Sequence, residues 1–370
     1  MKSSTAGFRQ LCLVVFAVMG TLALSHSAVA ASIVKFDAPG AGTDSGQGTF
    51  GAAINSAGVV VGYYVDSNAV YHGFVRATNG TITPIDAPGA GTAAFQGTWA
   101  FGINKSGVIT GYYFDASNVI HGYVKSPTGH FAEFEAPGAQ GTLALEINNS
   151  DTIAGTYFDA NNVKHGFVRV ADGTITTFDA PGAGTGSGQG TITPSTAGIN
   201  NANALAGWYV DDTGAVHGYE RAANGTITPI DALGAGTGPG DGTYAGAIND
   251  TGTIAGAYGD ANSVFHGFVR TVGGAITEFD VSGAGTGVGQ GTLAQSINAS
   301  GVVVGNYIDA NGVNLGFRRS AGGAIMKFHV PGAGTAAGQG TFPSNNNAAG
   351  SVVGLYFDSS GVGHGFLLTL

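Results

Sequence analysis

Six histidines sit on one frame. His72, His121, His165, His217, His266 and His364 each follow an aspartate by six residues (Asp66, Asp115, Asp159, Asp211, Asp260, Asp358) and a tyrosine by eight (Tyr64, Tyr113, Tyr157, Tyr209, Tyr258, Tyr356). A His–Asp pair has the groups for general base catalysis and for metal ligation. Both chemistries need convergence on one centre, whereas one copy per repeat spreads the pairs apart. The frame is therefore expected to be structural, a polar pin with each His across a hairpin from the Tyr and one step from the Asp. In a seventh frame Leu315 follows Tyr307 and Asp309, placing an apolar contact where the pin would be.

The aspartates open turns such as Asp159-Ala160-Asn161-Asn162. A carboxylate there caps backbone N–H groups two residues on. Calcium is the weaker rival, because the further carboxylates of an oxygen-ligand loop are lacking. No other cofactor or metal is expected, and no catalytic residue stands out. A second polar set lies among glycines in a G-Q-G-T element: Gln47, Gln96, Gln140, Gln189, Gln290 and Gln339, with Asp241 in the remaining copy. These are the ligand-binding candidates, with sugar hydroxyls or a peptide backbone as the target; the bland alternative is that they bridge two loops. Arg76, Lys125, Arg169, Arg221, Arg270 and Arg319 end one strand of each unit and are expected to be solvated or paired with local acids. Trp99, Trp208, His130 and His329 do not repeat and read as incidental.

These residues punctuate a repeat. A phrase near F-D-A-P-G-A-G-T…G-Q-G-T…I-N…G-x-Y-x-D…H-G-F recurs at Asp37, Asp86, Glu135, Asp179, Asp231, Asp280 and His329, in steps of 49, 49, 44, 52, 49 and 49 residues. Such a period marks a solenoid, propeller or array. Within the first unit four β-type runs are bounded by turn residues: Thr49 to Asn55, Val59 to Asp66, Val70 to Arg76 and Thr81 to Asp86, the last pair joined by Asn79-Gly80. No segment has helical periodicity. The fold expected is all-β: a seven-bladed β-propeller with four antiparallel strands per blade. After residue 31 the chain opens on a lone fourth strand, Ser32 to Asp37, and it ends on a third strand, His364 to Leu370. Together they would complete one blade and close the ring. Recurrent Tyr64 and Phe74 would pack between blades, with Gly62 admitting a ring against the backbone.

Every length change falls between the phrase acid and the following Asn, so the Gly-rich loop face is nominated as the working face. The third unit is shortened around Gln140, and the fourth gains residues around Pro194-Ser195-Thr196.

Composition narrows the partners. The 370-residue chain has a formal charge of −10, with 10% charged residues and 66 glycines. That acidic balance argues against nucleic acid and anionic membranes. Residues 1–30 read as a secretory signal peptide, from Lys2 and Arg9, the apolar Leu11 to Leu24 and Ala28-Val29-Ala30. This run is too short to span a membrane. It contains Cys12, the single cysteine, so residues 31–370 form a thiol-free domain that must be held by its core. Removing Lys2 and Arg9 leaves 11 basic against 23 acidic residues, a charge of −12.

The H-G-F element and the preceding I-N-x-x-G-x-x-x-G resemble the HAF-repeat family of bacterial extracellular proteins, across all seven units. The resemblance implies a secreted or periplasmic repeat protein of propeller type and brings no activity. The function expected is a secreted, non-catalytic binding module, monomeric, for a carbohydrate or an extracellular protein. The alternatives are a structural envelope or matrix protein and, more remotely, a hydrolase or lyase using the central channel.

Overall fold

The structure, a computed structural model, describes residues 32–369; the leader expected over residues 1–30 and its Cys12 lie outside the described residues. Among the described residues there are 28 strands and no helix. They form a closed, propeller-like all-β fold.

The first strands show how the repeat builds it. β1 (Ser32–Phe36) is followed by β2 (Gly48–Ile54), β3 (Val60–Val65), β4 (Tyr71–Arg76) and β5 (Ile82–Ile85). β2 to β5 pair consecutively and antiparallel, with Gly62 opposite Phe74 and Tyr64 opposite His72. The next unit begins at β6 (Gly97–Ile103), which meets β4 through a single parallel bridge, Tyr71 to Gly97. Gly97 has φ +119°, and a Cβ there would collide with the Tyr71 carbonyl, so only glycine permits this junction. Thr98 is fully buried, and its hydroxyl accepts the Ala87 N–H at 2.9 Å. The G-T pair is thus a joint between units.

The core lies between units. Val61 of β3 and Ala53 of β2 share a cluster with Ile85, Ala100, Ile109, Tyr113 and Tyr123. No unit could bury that face alone. Phe74 is 0% exposed, and a Cβ on Gly62 would meet its ring at 2.9 Å.

Closure joins the chain's ends. β1 pairs with Gly363–Thr369, Lys35 facing Phe366 and Phe36 facing Gly365. The same terminal strand bridges β2 through Gly48 and Gly363.

Both length changes differ from expectation in what they do. In the fourth unit the loop keeps its form, and the extra residues interrupt the first strand, which runs only over Gly190–Ile192. Pro194 offers no N–H to continue the ladder. In the third unit the Gln140 N–H donates to the Phe158 carbonyl at 2.7 Å, as the Gly42 N–H does to Val65 at 2.8 Å. Gln140 therefore stands in the place of Gly42 rather than of Gln47.

Candidate functional site

The repeated histidines lie where the frame places them, with one partner more than expected. The His72 ring stacks on Tyr64 at 4.8 Å. Its Nε2 lies 3.7 Å from Asp66 Oδ2, and its Nδ1 lies 3.1 Å from Asp86 Oδ1, the acid of the F-D-A-P phrase. Equivalent contacts join His121 to Asp115 and Glu135, His165 to Asp159 and Asp179, and His217 to Asp211 and Asp231. His266 meets Asp260 and Asp280, and His364 meets Asp358 and Asp37. The phrase acid, not singled out from sequence, is thus the second arm of each pin. His329 is its counterpart beside Leu315, so it is not incidental: in that unit both members of the pair change together. Each turn aspartate also accepts backbone N–H groups, Asp66 Oδ1 from Asn68 and Val70 at 2.8 Å. At Asp159 the Val163 N–H, opposed by desolvation and helped by the Asn161 N–H and His165, holds the carboxyl below its ordinary value.

The glutamines are turned into their own loops. Gln96 is buried; its Oε1 accepts the Ala93 N–H at 3.2 Å and its Nε2 donates to Asn118 Oδ1 at 2.9 Å. Gln47, Gln189, Gln290 and Gln339 accept from Asp44, Gly186, Gly287 and Ala336 in the same way. Asp241 accepts from the Ser263 hydroxyl at 2.7 Å, and Gln140 occupies a different place. Gln96, Gln290 and Gln339 also donate through Nε2 to the adjoining turn, to Asn118, Ala310 and Ser359, so these three bridge two loops, whereas Gln47 and Gln189 are held through Oε1. Four of the strand-end arginines are neither solvated nor paired with acids. Arg76, Arg169, Arg221 and Arg319 lie 4.8 to 5.0 Å over Phe36, Phe134, Phe178 and Phe279 of the neighbouring unit. Arg270 alone pairs with an acid, Glu220 at 2.8 Å.

The asparagine of the I-N element, passed over in the sequence, forms a closed belt. Asn55 Nδ2 donates to the Asn104 carbonyl, and the pattern continues through Asn148, Asn200, Asn249, Asn298 and Asn347, which returns to Asn55 at 3.1 Å. Each Oδ1 caps its own turn, as Asn55 does for Ala57 and Val59. The belt rims a depression of about 200 Å³ above Ile54, Ile103, Ile147, Ile199, Ile248 and Ile297. Because one depression gathers the ends of the first strands, with Ile199 beyond the interruption in the fourth unit, those strands are innermost.

The fourth unit's extra residues cross this axis. The Thr196 hydroxyl donates to the Gln295 carbonyl at 3.0 Å, the Ala197 N–H donates to Glu146 Oε1 at 2.8 Å, and Ala197 accepts from the Ile248 N–H. Glu146 is buried, and desolvation pushes its carboxyl up to about 8 despite the Ala197 N–H.

Beyond this crossing segment, toward the Gly-rich loops, the inner wall is uneven. In the first two units aromatic rings fill it: Phe50 stacks on Tyr63 at 5.0 Å, Tyr71 on Trp99 at 4.2 Å, and Phe101 on Tyr112 at 5.4 Å. Burial raises the Tyr63 hydroxyl to about 12. In the fifth and sixth units the positions of Phe50 and Tyr71 are aromatic again, as Tyr244 and Phe265. Those of Tyr63, Trp99 and Phe101 are Ala257, Leu293 and Gln295. Volume filled by rings on one side is open on the other, a cavity of about 250 Å³ lined by Trp208, Tyr244, Phe265, Leu293 and Gln295. Trp208 packs edge-on to Tyr244 at 5.7 Å. The Tyr244 hydroxyl donates to the Gly240 carbonyl at 2.6 Å, which holds its ring beside the Gly-rich loop. The Gln295 carbonyl is engaged by Thr196, whereas its side-chain amide has no partner among the described residues. Trp208, read as incidental from sequence, is a wall of this cavity.

No protein-family model and no curated protein sequence matches the chain. Among solved structures, a streptogramin B lyase superposes with a TM-score of 0.56 at 16% identity, covering 91% of this chain and 97% of that one. The BP39L lectin from Burkholderia pseudomallei follows at 0.48 and 12%, covering 78% and 83%, and TolB from Acinetobacter baumannii at 0.46 and 11%, covering 84% and 63%. At such identity the first likeness is one of fold alone.

Proposed function

We propose that the chain is a secreted, monomeric, non-catalytic binding module of the HAF-repeat kind: residues 1–30 a signal peptide, residues 31–370 a seven-bladed propeller of four strands per blade. Its ligand is a carbohydrate or an extracellular protein, met at the end of the axis that carries the Gly-rich loops. One observation carries this reading. The repeated His–Asp pins and the asparagine belt have their partners inside the scaffold, whereas the cavity at Trp208 is built from departures from the repeat and presents the Gln295 amide among aromatic rings. Ligand sites are typically such concave, mostly apolar places with few polar groups. The test is retention of extracellular glycans and proteins on the immobilised protein, compared with Trp208→Ala. Retention lost in the variant supports the reading; equal retention by both overturns it.

A further inference from the structure

Resting on that binding-module reading, we infer that the cavity walled by Trp208, Tyr244 and Phe265 takes a single uncharged pyranose ring, one per chain, with Gln295 bonding two of its hydroxyls. The comparison within the molecule argues for a site rather than a packing fault. Tyr71 carries Trp99 on its face at 4.2 Å. Phe265 is the counterpart of Tyr71, and Leu293 is that of Trp99, so a planar group the size of a ring is missing opposite Phe265. The space of about 250 Å³ is smaller than a drug-sized pocket and fits one ring.

The chemistry of the walls selects among rings. Aromatic faces carry partial negative charge and attract the weakly positive C–H edges that a pyranose presents across its face. An apolar ring seated there would cover the half-buried Gln295 amide without giving it a partner, at a cost. That amide offers a carbonyl acceptor and an NH₂ donor side by side, the complement of two adjacent hydroxyls. The Thr196 bond to the Gln295 carbonyl fixes the backbone from which the amide projects. A chain of formal charge −10 disfavours an anionic sugar or a nucleotide. The site also departs from the repeat, so it exists once.

The test is calorimetry of the full chain with a panel of neutral hexopyranoses, and with adenosine as a flat, uncharged nucleobase control. The expected result is one site per chain with a dissociation constant on the order of a millimolar, as suits so small a ligand. Trp208→Ala and Gln295→Ala should each weaken it about tenfold or more. Leu293→Trp, which restores the ring found at Trp99, should fold and lose binding; Trp99→Leu should retain it. Several equal sites, or binding unchanged in Leu293→Trp, would overturn the inference. Adenosine in place of sugars, or a protein ligand that depends on Trp208 while no pyranose binds, would also overturn it yet leave the binding module standing. No Trp208-dependent ligand of any class would overturn both.

Discussion

The His–Asp groups look like chemistry and behave as joinery. Each imidazole lies between two carboxylates and against a tyrosine ring, so removing one member strands the others. Where the chain itself omits the histidine, at Leu315, it also omits the acid, at His329. His266→Leu should therefore cost about 1 kcal/mol in urea unfolding, the scale for a partly exposed pair, and His266→Leu with Asp280→His should recover part of it. Glu146 gives a second, pH-dependent outcome. Its folded value of about 8 lies above its ordinary 4.5, so its contribution is fully present below about pH 4.5 and is lost as pH rises through 8. The loss is on the order of a few kcal/mol, and Glu146→Gln should flatten stability between pH 5 and 8. Asp66 and Asp159 act oppositely: held low, they contribute above the usual carboxylate range and lose that contribution as pH falls through their folded values. The pins could be read from sequence only by half. The Asp six residues before each His announces itself, whereas the acid fourteen residues after it belongs to a different phrase of the repeat and meets the His only through the register of the third and fourth strands.

At the scale of the element, the asparagine belt shows what periodicity conceals. Strand alternation and turn residues identify the hairpins to within a residue, because β-propensity and turn chemistry are local. The belt is not local: Asn148 donates to Asn200 across 52 residues. It repeats as faithfully as the histidines, but a lone Asn before a turn reads as a turn residue, and only convergence of the inner strands reveals the ring. Asn148 also caps its own turn through Ser150 and Thr152. Asn148→Ala should lower unfolding stability by about 2–3 kcal/mol, as buried donors and acceptors lose partners. Gly97→Ala tests the junction between units. Positive φ and collision with the Tyr71 carbonyl together should cost at least about 2 kcal/mol, seen as a fall in Tm. The fourth unit's insertion was visible as a count of residues but not as a place. Pro194 ends the strand, and the released segment finds its partners in the third, fifth and sixth units, which no pattern within its own unit could indicate.

For the whole molecule, propeller-like closure was legible from the period and from the incomplete units at either end of residues 32–370, because a strand lacking its neighbours must find them elsewhere. The cavity was not legible, because Ala257, Leu293 and Gln295 look like ordinary variation until they are set against the rings that fill the first two units. Removing residues 1–37 should leave the edge of Gly363–Thr369 unpaired, and light scattering with thermal melts should show a lower Tm and concentration-dependent association. Ring closure also sets a sequence in time. Asp37 and His364 are 327 residues apart in the chain yet 2.9 Å apart in the fold. The first of the described strands therefore waits for the last, and the ring stays open until Gly363–Thr369 has been made. Contacts of such span form late and slowly. A ring closed in this way has no locked shape until its two ends have met.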